Sequence, residues 1–254
     1  MSQINLTIND QQISAKQGDT ILHAAAANGI EIPNLCHDPR LVPTGSCRLC
    51  LVEVKGQRAP VTACTFEIAE GMVVETDTDL LRDLRKTVLE LLFYEHRGVC
   101  TTCDENGRCK LQLYGYEYQL DDKFFTNRAS GQKKPNYTDG NAAIEYDLDK
   151  CIKCGRCIRI CDEVQMDTAL TFKERAGDVE VTTAFDIPLN DSTCELCGQC
   201  ISTCPTGALY ERYAKGKGQC FTLDKTTTTC VYCGVGCQID LNTHSQRNEL
   251  VRVT

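Results

Sequence analysis

The sequence contains no tryptophan, and aromatic residues make up only 6% of its 254 positions. Large rings therefore contribute little to any core. Long apolar runs are also missing. No stretch approaches the roughly 18 apolar residues of a membrane-spanning helix. A secretory leader is not visible either: Met1-Ser-Gln-Ile-Asn-Leu-Thr-Ile reads directly as a strand. The expected location is a cytoplasmic, reducing compartment. Positive charge is in deficit, with 27 Lys and Arg against 35 Asp and Glu and a formal net charge of −8, which argues against nucleic acid as a partner. Cysteine is the residue in excess, at 19 copies, far above ordinary usage. In a reducing compartment such density means metal rather than disulfides. The chain length suggests two domains or several small ones.

The cysteines are organised around a repeat. One run has Cys151, Cys154, Cys157 and Cys161; the other has Cys194, Cys197, Cys200 and Cys204, followed by Pro205. This C-x2-C-x2-C-x3-C spacing is that of a two-cluster bacterial-type ferredoxin, in which the fourth Cys of each run serves the other cluster. The expected ligands of one [4Fe–4S] cluster are Cys151, Cys154, Cys157 and Cys204. Those of the other are Cys161, Cys194, Cys197 and Cys200. A structural zinc prefers two separated pairs of ligands, and successive x2 spacings suit a disulfide framework poorly. The fourth Cys of each run is expected to start a helix, and because Asp162, not Pro, follows Cys161, the helix geometry after Cys161 is less fixed by the residues than that after Cys204. Gly155 and Gly198 lie inside the ligand loops, where a side chain would crowd a cluster. A longer insert than a minimal ferredoxin has separates the two halves, and residues 179–185 suggest an extra strand in it.

Upstream, residues 1–78 read as a small β-rich domain. Ile4, Leu6 and Ile8 alternate, Asn9-Asp10 makes a turn, and Asp19-Thr20 opens a helix closed by Asn28-Gly29. Cys36, Cys47, Cys50 and Cys64 give C-x10-C-x2-C-x13-C, with a longer first gap than plant-type ferredoxins have. Gly45 and Ser46 suit a loop whose N–H groups approach sulfide. Arg48 is read either as a local donor or as a solvated charge. His37 is a weaker, Rieske-like alternative ligand.

Residues 79–97 predict the best helix, capped by Asp79, with Leu80, Leu84, Val88, Leu91 and Leu92 as its apolar stripe and Gly98 as its stop. His96 opens a set with Cys100, Cys103 and Cys109. On spacing alone, His96 reads rather as a cation placed at a helix C-terminus, with ligation the lesser reading. An aromatic helix follows over Leu111, Leu113, Tyr114, Tyr116 and Tyr118, whose rings read as packing. Residues 121–140 read as a linker wrapping over neighbouring domains. Near the end, Cys230, Cys233 and Cys237 form C-x2-C-x3-C, with zinc as the competing reading. Cys220 reads as a buried structural thiol.

These sets resemble known families. The C-x10-C-x2-C-x13-C set is similar to the [2Fe–2S] domain of the large iron–sulfur subunit of complex I. The His96, Cys100, Cys103, Cys109 set resembles the one-His, three-Cys [4Fe–4S] site of complex I, [FeFe]-hydrogenases and NAD-linked formate dehydrogenases, which implies ligation by His96. Tyr232-Cys233-Gly234-Val235-Gly236-Cys237 looks like the opening of the molybdopterin oxidoreductases, formate dehydrogenases in particular, whose fourth Cys would fall beyond Thr254. The whole chain best resembles the N-terminal iron–sulfur region of an NAD(P)-linked formate dehydrogenase catalytic subunit.

The resemblance implies an α+β organisation. A β-grasp [2Fe–2S] domain occupies residues 1–78 and a helical one-His, three-Cys [4Fe–4S] domain residues 79–120. A linker covers 121–140 and a 2[4Fe–4S] ferredoxin domain 141–215. The truncated start of a molybdopterin-oxidoreductase [4Fe–4S] domain occupies 226–254. The implied cofactors are one [2Fe–2S] and three [4Fe–4S] clusters, a further [4Fe–4S] if a fourth Cys follows, and a molybdenum or tungsten bis-pterin only in a missing C-terminal part. The chain would be part of an oxidoreductase, with no catalytic residue of its own. Its implied partner is a flavin/NAD(P)-binding subunit, with ferredoxin or hydrogenase subunits as further candidates. The alternatives are an electron-transfer subunit of a complex I-like NADH dehydrogenase or NAD-linked hydrogenase and, remotely, a zinc-stabilised scaffold.

Overall fold

The computed structural model describes residues 2–126, 136–175, 178–244 and 246–254. The chain divides into two compact units: residues 1–94 with 114–120, and residues 95–113 with 121–254.

The first unit is a five-stranded sheet with a helix. Strands β1 (Gln3–Ile8) and β2 (Gln11–Lys16) form a hairpin. Its turn residues, Asn9 and Asp10, take φ of 49° and 62°, the left-handed pair that a two-residue hairpin turn needs. Helix α1 (Ile21–Ala27) starts at Thr20, whose hydroxyl accepts the His23 N–H at 3.3 Å. Strands β3 (Leu51–Val54), β4 (Val61–Thr62) and β5 (Val73–Glu75) complete the sheet in the order β2-β1-β5-β3-β4, with β1 and β5 parallel. Leu6, Ile8, Ile21, Leu22, Val52 and Val74 form its core, and Cys50 and Cys64 are buried within that core.

Helix α2 (Asp79–Glu95) forms where the periodicity places it, but presents a different face. Its buried residues are Leu81, Arg85, Leu89 and Phe93, whereas Leu80 and Leu91 are exposed. Arg85 explains the shift. Its guanidinium is buried and donates to the carbonyls of Leu51 (2.6 Å) and Thr76 (2.8 Å) and to the Tyr118 hydroxyl (3.2 Å). A charged residue at the centre of the buried stripe hides that stripe from a count of apolar positions. The side-chain cap comes from Thr78, whose hydroxyl accepts the Leu81 N–H, rather than from Asp79.

Helix α3 (Lys110–Glu117) occupies the expected aromatic stretch. In the second unit, β6 (Ile144–Tyr146) leads to the first Cys run and α4 (Arg156–Arg159). That helix widens into a π-turn at Ile160–Val164, in which the Gln165 N–H reaches the Ile160 carbonyl at 3.0 Å. A hairpin, β7 (Leu170–Arg175) and β8 (Asp178–Thr183), fills the insert where an extra strand was expected. Helix α5 (Gln199–Thr203) follows, and stops at the extended backbone of Cys204 just before Pro205. Strand β9 (Leu209–Glu211) pairs with β6 and joins the two ends of the repeat. The expected helix start at the fourth Cys is not what forms: Cys161 lies within the π-turn that continues α4, and Cys204 lies just past the end of α5, ahead of Pro205. Last come β10 (Asp224–Thr229), β11 (Gln238–His244) and β12 (Glu249–Val253), an antiparallel three-stranded sheet. Nearly half of the expected linker, residues 127–135, lies outside the described residues. No helix among the described residues is long and apolar enough to cross a membrane.

Candidate iron–sulfur sites

In the first unit Cys36, Cys47, Cys50 and Cys64 are all buried. Pairing of β3 with β4 brings Cys50 beside Cys64, and the Ala63 N–H donates to the Cys50 carbonyl at 2.9 Å. The Cys47 N–H donates to the Cys36 sulfur at 3.4 Å. The thiols also bond one another. Cys36 is pulled down because the Cys47 and Cys64 thiols donate to it, and Cys50 because the Cys64 thiol does. The donors, Cys47 and Cys64, are pushed up for the same reason. Gly45 and Arg48 in the loop are left-handed, at φ of 65° and 57°. Arg48 is exposed. The His37 ring packs against His23 at 5.2 Å between centroids.

In the second unit His96 follows the end of α2 and is only 5% exposed. Its Nδ1 lies 2.9 Å from the Lys150 carbonyl. A carbonyl only accepts, so Nδ1 carries the proton and Nε2 keeps its lone pair. Burial lowers the pKa of His96 and favours the neutral ring. Cys100 and Cys109 are pushed up to about 11 and about 12, by burial first and then by the charge of Cys103 among the neighbouring thiols. The space is tight. A Cβ added at Gly98 would lie 3.4 Å from His96 Nε2, and one at Gly207 would lie 3.1 Å from Cys103 Sγ.

The repeat brings its thiols into one neighbourhood. Cys157 has Cys154, Cys151, Cys204 and Cys200 around it, and Cys200 has Cys194, Cys197, Cys204 and Cys161. Cys161, Cys194, Cys197 and Cys200 line one cavity of about 400 Å³, counted with its open mouth, together with Tyr137, Leu170 and Leu189. The loops repeat each other in backbone as well as in sequence: Lys153 and Leu196 take φ of 55° and 57°, and Gly155 and Gly198 take 71° and 76°. These left-handed turns aim N–H groups at sulfur, and the Lys153 N–H reaches Cys151 Sγ at 3.3 Å. The same i+2 donor recurs at Cys47, Cys103, Cys109, Cys154 and Cys194. Among the described residues, no three His, Cys, Asp or Glu side chains close on a point that would hold a single metal ion. Buried, N–H-rich and thiol-lined spaces fit clusters, in which each thiolate has its own iron.

The Lys150 carbonyl connects two of the sets. It also accepts from the Thr206 hydroxyl at 2.9 Å, and Lys150 is joined by its own peptide bond to Cys151. Spacing offered no signal for this link. Cys220, read as a structural thiol, is tied to the Cys100–Cys109 loop. Its N–H and its sulfur both lie 3.1 Å from the Asp104 carbonyl, and Arg252 donates to the sulfur at 2.8 Å while pairing with Glu105 at 2.9 Å.

Cys230, Cys233 and Cys237 lie on the loop between β10 and β11, closed by the Cys230 N–H donating to the Cys237 carbonyl at 2.8 Å. Cys233 and Cys237 are exposed, as are Val231, Tyr232 and Val235 around them.

Comparison with known proteins bears on these sites. Residues 1–79 match the family of 2Fe-2S iron-sulfur cluster binding domains. Residues 85–123 match the NADH-ubiquinone oxidoreductase-G iron-sulfur binding region, and residues 141–210 the ferredoxin-like domain of NADH-quinone oxidoreductase subunit 3. Together the three matched segments mark out an iron–sulfur region similar to those of NADH-quinone oxidoreductase-G and hydrogenase subunits. It is 36% identical over 252 residues to the second G-type subunit of the NADH-quinone oxidoreductase of Rhizobium meliloti, covering 98% of this chain and 29% of that one. Against the alpha subunit of the NADPH-Fe(3+) oxidoreductase of Geobacter sulfurreducens it is 34% identical, covering 99% and 29%. Against the HndD subunit of the NADP-reducing hydrogenase of Solidesulfovibrio fructosivorans it is 36% identical, covering 83% and 36%. A crystal structure of an NAD+-reducing [NiFe]-hydrogenase superposes with a TM-score of 0.75 at 28% identity, covering 85% of this chain and 91% of that one. The iron–sulfur region spans about a third of the length of the curated relatives it matches.

Proposed function

We propose that this region is the electron wire of an NAD(P)-linked oxidoreductase complex. It would carry a [2Fe–2S] cluster on Cys36, Cys47, Cys50 and Cys64. Three [4Fe–4S] clusters would be held by His96 with Cys100, Cys103 and Cys109; by Cys151, Cys154, Cys157 and Cys204; and by Cys161, Cys194, Cys197 and Cys200. Residues 1–78, 79–120 and 141–215 are the proposed cluster domains, with 121–140 as linker and 226–254 as the start of another. Bound clusters supply one-electron storage and transfer. The chain's own residues hold them buried, direct N–H groups at the thiolates and keep His96 neutral at Nε2. One observation carries the reading: the Lys150 carbonyl accepts from His96 and is joined through the backbone to Cys151, so two ligand sets share one rigid support. The wire would exchange electrons with a flavin/NAD(P)-binding partner subunit in the cytoplasm.

A formate dehydrogenase setting is the finer reading, favoured by the Tyr232–Cys237 wording and by the exposure of those thiols, which suits completion of a site by residues further along a longer chain. In that setting the Mo/W bis-pterin centre lies outside these residues. The match to the NADH-quinone oxidoreductase of Rhizobium meliloti takes in the same run, so that run alone does not separate the two settings. Anaerobic purification with iron and sulfide assays tests the wire. It requires about 14 iron atoms per chain from its four complete sites, and a colourless protein holding zinc refutes it.

A further inference from the structure

Two tyrosines are buried in the ferredoxin-like part without a hydrogen-bond partner for their hydroxyls. Tyr137 is 5% exposed and Tyr146 is 2% exposed. Their rings pack together at 5.3 Å between centroids. A buried, unpaired phenol costs free energy, so it requires a reason. The surroundings supply one, because Tyr146 sits on β6 with its hydroxyl facing the Cys151 sulfur. A phenol keeps its proton at neutral pH, so Tyr146, packed in the same cluster of side chains as Cys151, is available as a donor. Tyr137 faces Cys157, Cys200, Cys151 and Cys204, thiols of both sets.

The repeat makes the placement of Tyr146 informative. Tyr146 stands five residues before Cys151, and the residue five before Cys194 is Leu189. Leu189 is 2% exposed and lines the cavity of Cys161, Cys194, Cys197 and Cys200. Equivalent positions thus offer one site a hydroxyl and the other a hydrocarbon.

We propose that the Tyr146 hydroxyl donates a hydrogen bond to the Cys151 thiolate of the cluster held by Cys151, Cys154, Cys157 and Cys204, and so raises that cluster's reduction potential above that of its twin beside Leu189. The inference rests on the cluster assignment above. Reduction adds negative charge to the cluster and its thiolates, so a donor to sulfur stabilises the reduced state more than the oxidised one. Tyr146 is a positioning and tuning residue; it moves no electron itself.

The test is an EPR-monitored redox titration of the whole chain, purified anaerobically, with Tyr146 intact and with Tyr146→Phe. At a fixed potential, Tyr146→Phe raises the oxidised-to-reduced ratio of one cubane about tenfold, equal to about 59 mV for a one-electron couple, and leaves the other within twofold. Replacing Tyr146 by 3,5-difluorotyrosine, a stronger donor, moves the same cubane the opposite way and keeps the test open if the phenylalanine variant loads poorly. A ratio unchanged within twofold in either loaded variant overturns the proposal. So does an equal shift of both cubanes, which would signify solvent entry. Iron short of two cubanes in the unsubstituted protein refutes the cluster assignment itself, and the proposal with it.

Discussion

His96 is the proposed ligand whose replacement says most. The imidazole is 5% exposed and its Nδ1 proton is committed to the Lys150 carbonyl at 2.9 Å, so Nε2 would meet iron as a neutral donor. His96→Cys exchanges that neutral donor for a thiolate and adds one negative charge next to the cluster. The reduced state, already the more negative, suffers more, and the potential falls. Rieske centres, in which two His replace two Cys, lie some hundreds of millivolts above plant-type centres; half of that span gives a drop of roughly 100–350 mV for one exchange.

The structural cost of the exchange is small. Loss of the imidazole leaves the Lys150 carbonyl still accepting from the Thr206 hydroxyl at 2.9 Å, so no buried acceptor is orphaned. A penalty of about 1 kcal/mol for the lost hydrogen bond is expected, too little to unfold the unit. An EPR-monitored redox titration should therefore show one cubane signal displaced downward and the remaining clusters in place. His96→Ala removes the ligand outright and should lower the iron content by about four atoms. If His96→Ala leaves every signal, every potential and the iron content unchanged, His96 is not a ligand and the assignment of that site fails.

Other substitutions probe the scaffold. Arg85→Met strips the Leu51 and Thr76 carbonyls of a buried charged donor and should destabilise the first unit by about 3–5 kcal/mol, read as a lowered thermal midpoint and faster loss of the [2Fe–2S] visible signal; an unchanged midpoint would contradict the geometry. Gly198→Ala, at φ of 76° on the lining of the cavity of Cys161, Cys194, Cys197 and Cys200, should add crowding of that site to a left-handed strain of about 1–2 kcal/mol, followed as the rate of cluster loss to a chelator. Gly155→Ala adds a 3.4 Å approach to the Phe172 ring to the same strain, and should lose its cluster faster than Gly198→Ala does. Gly207→Ala places a methyl 3.1 Å from Cys103 Sγ and should alter only the EPR line shape of the His96 cluster.

Local features of the fold were readable in the sequence, and features that depend on distant partners were not. The Asn9-Asp10 turn, the Thr20 start of α1 and the Gly29 end are decided within a few residues, and they stand where the sequence places them. The buried face of α2 could not be read, because Arg85 belongs to it only by virtue of two carbonyls from other parts of the chain. The candidate sites follow the same division. Every four-residue set could be proposed from spacing or family resemblance. Nothing in the sequence announced that the Lys150 carbonyl would hold His96, 54 residues away, or that Arg252 would reach Glu105 across 147.

This division has a physical basis that bears on how such wires vary. The thiolates receive their commonest donor from the N–H two residues on, as Cys151 does from Lys153 at 3.3 Å. That geometry accompanies the left-handed residues of the loops that begin at Cys47, Cys151 and Cys194 and recurs at Cys103 and Cys109 in the His96 set. It provides a common electrostatic floor for all the sites and cannot make one differ from another. Differences between clusters must come from groups outside the motif: the neutral His96 ring, the Tyr146 hydroxyl, or the Leu189 methyls at the matching position. Substitutions at these outside positions should therefore change the order of potentials along the wire while leaving cluster content intact, whereas substitutions inside the loops should change content first.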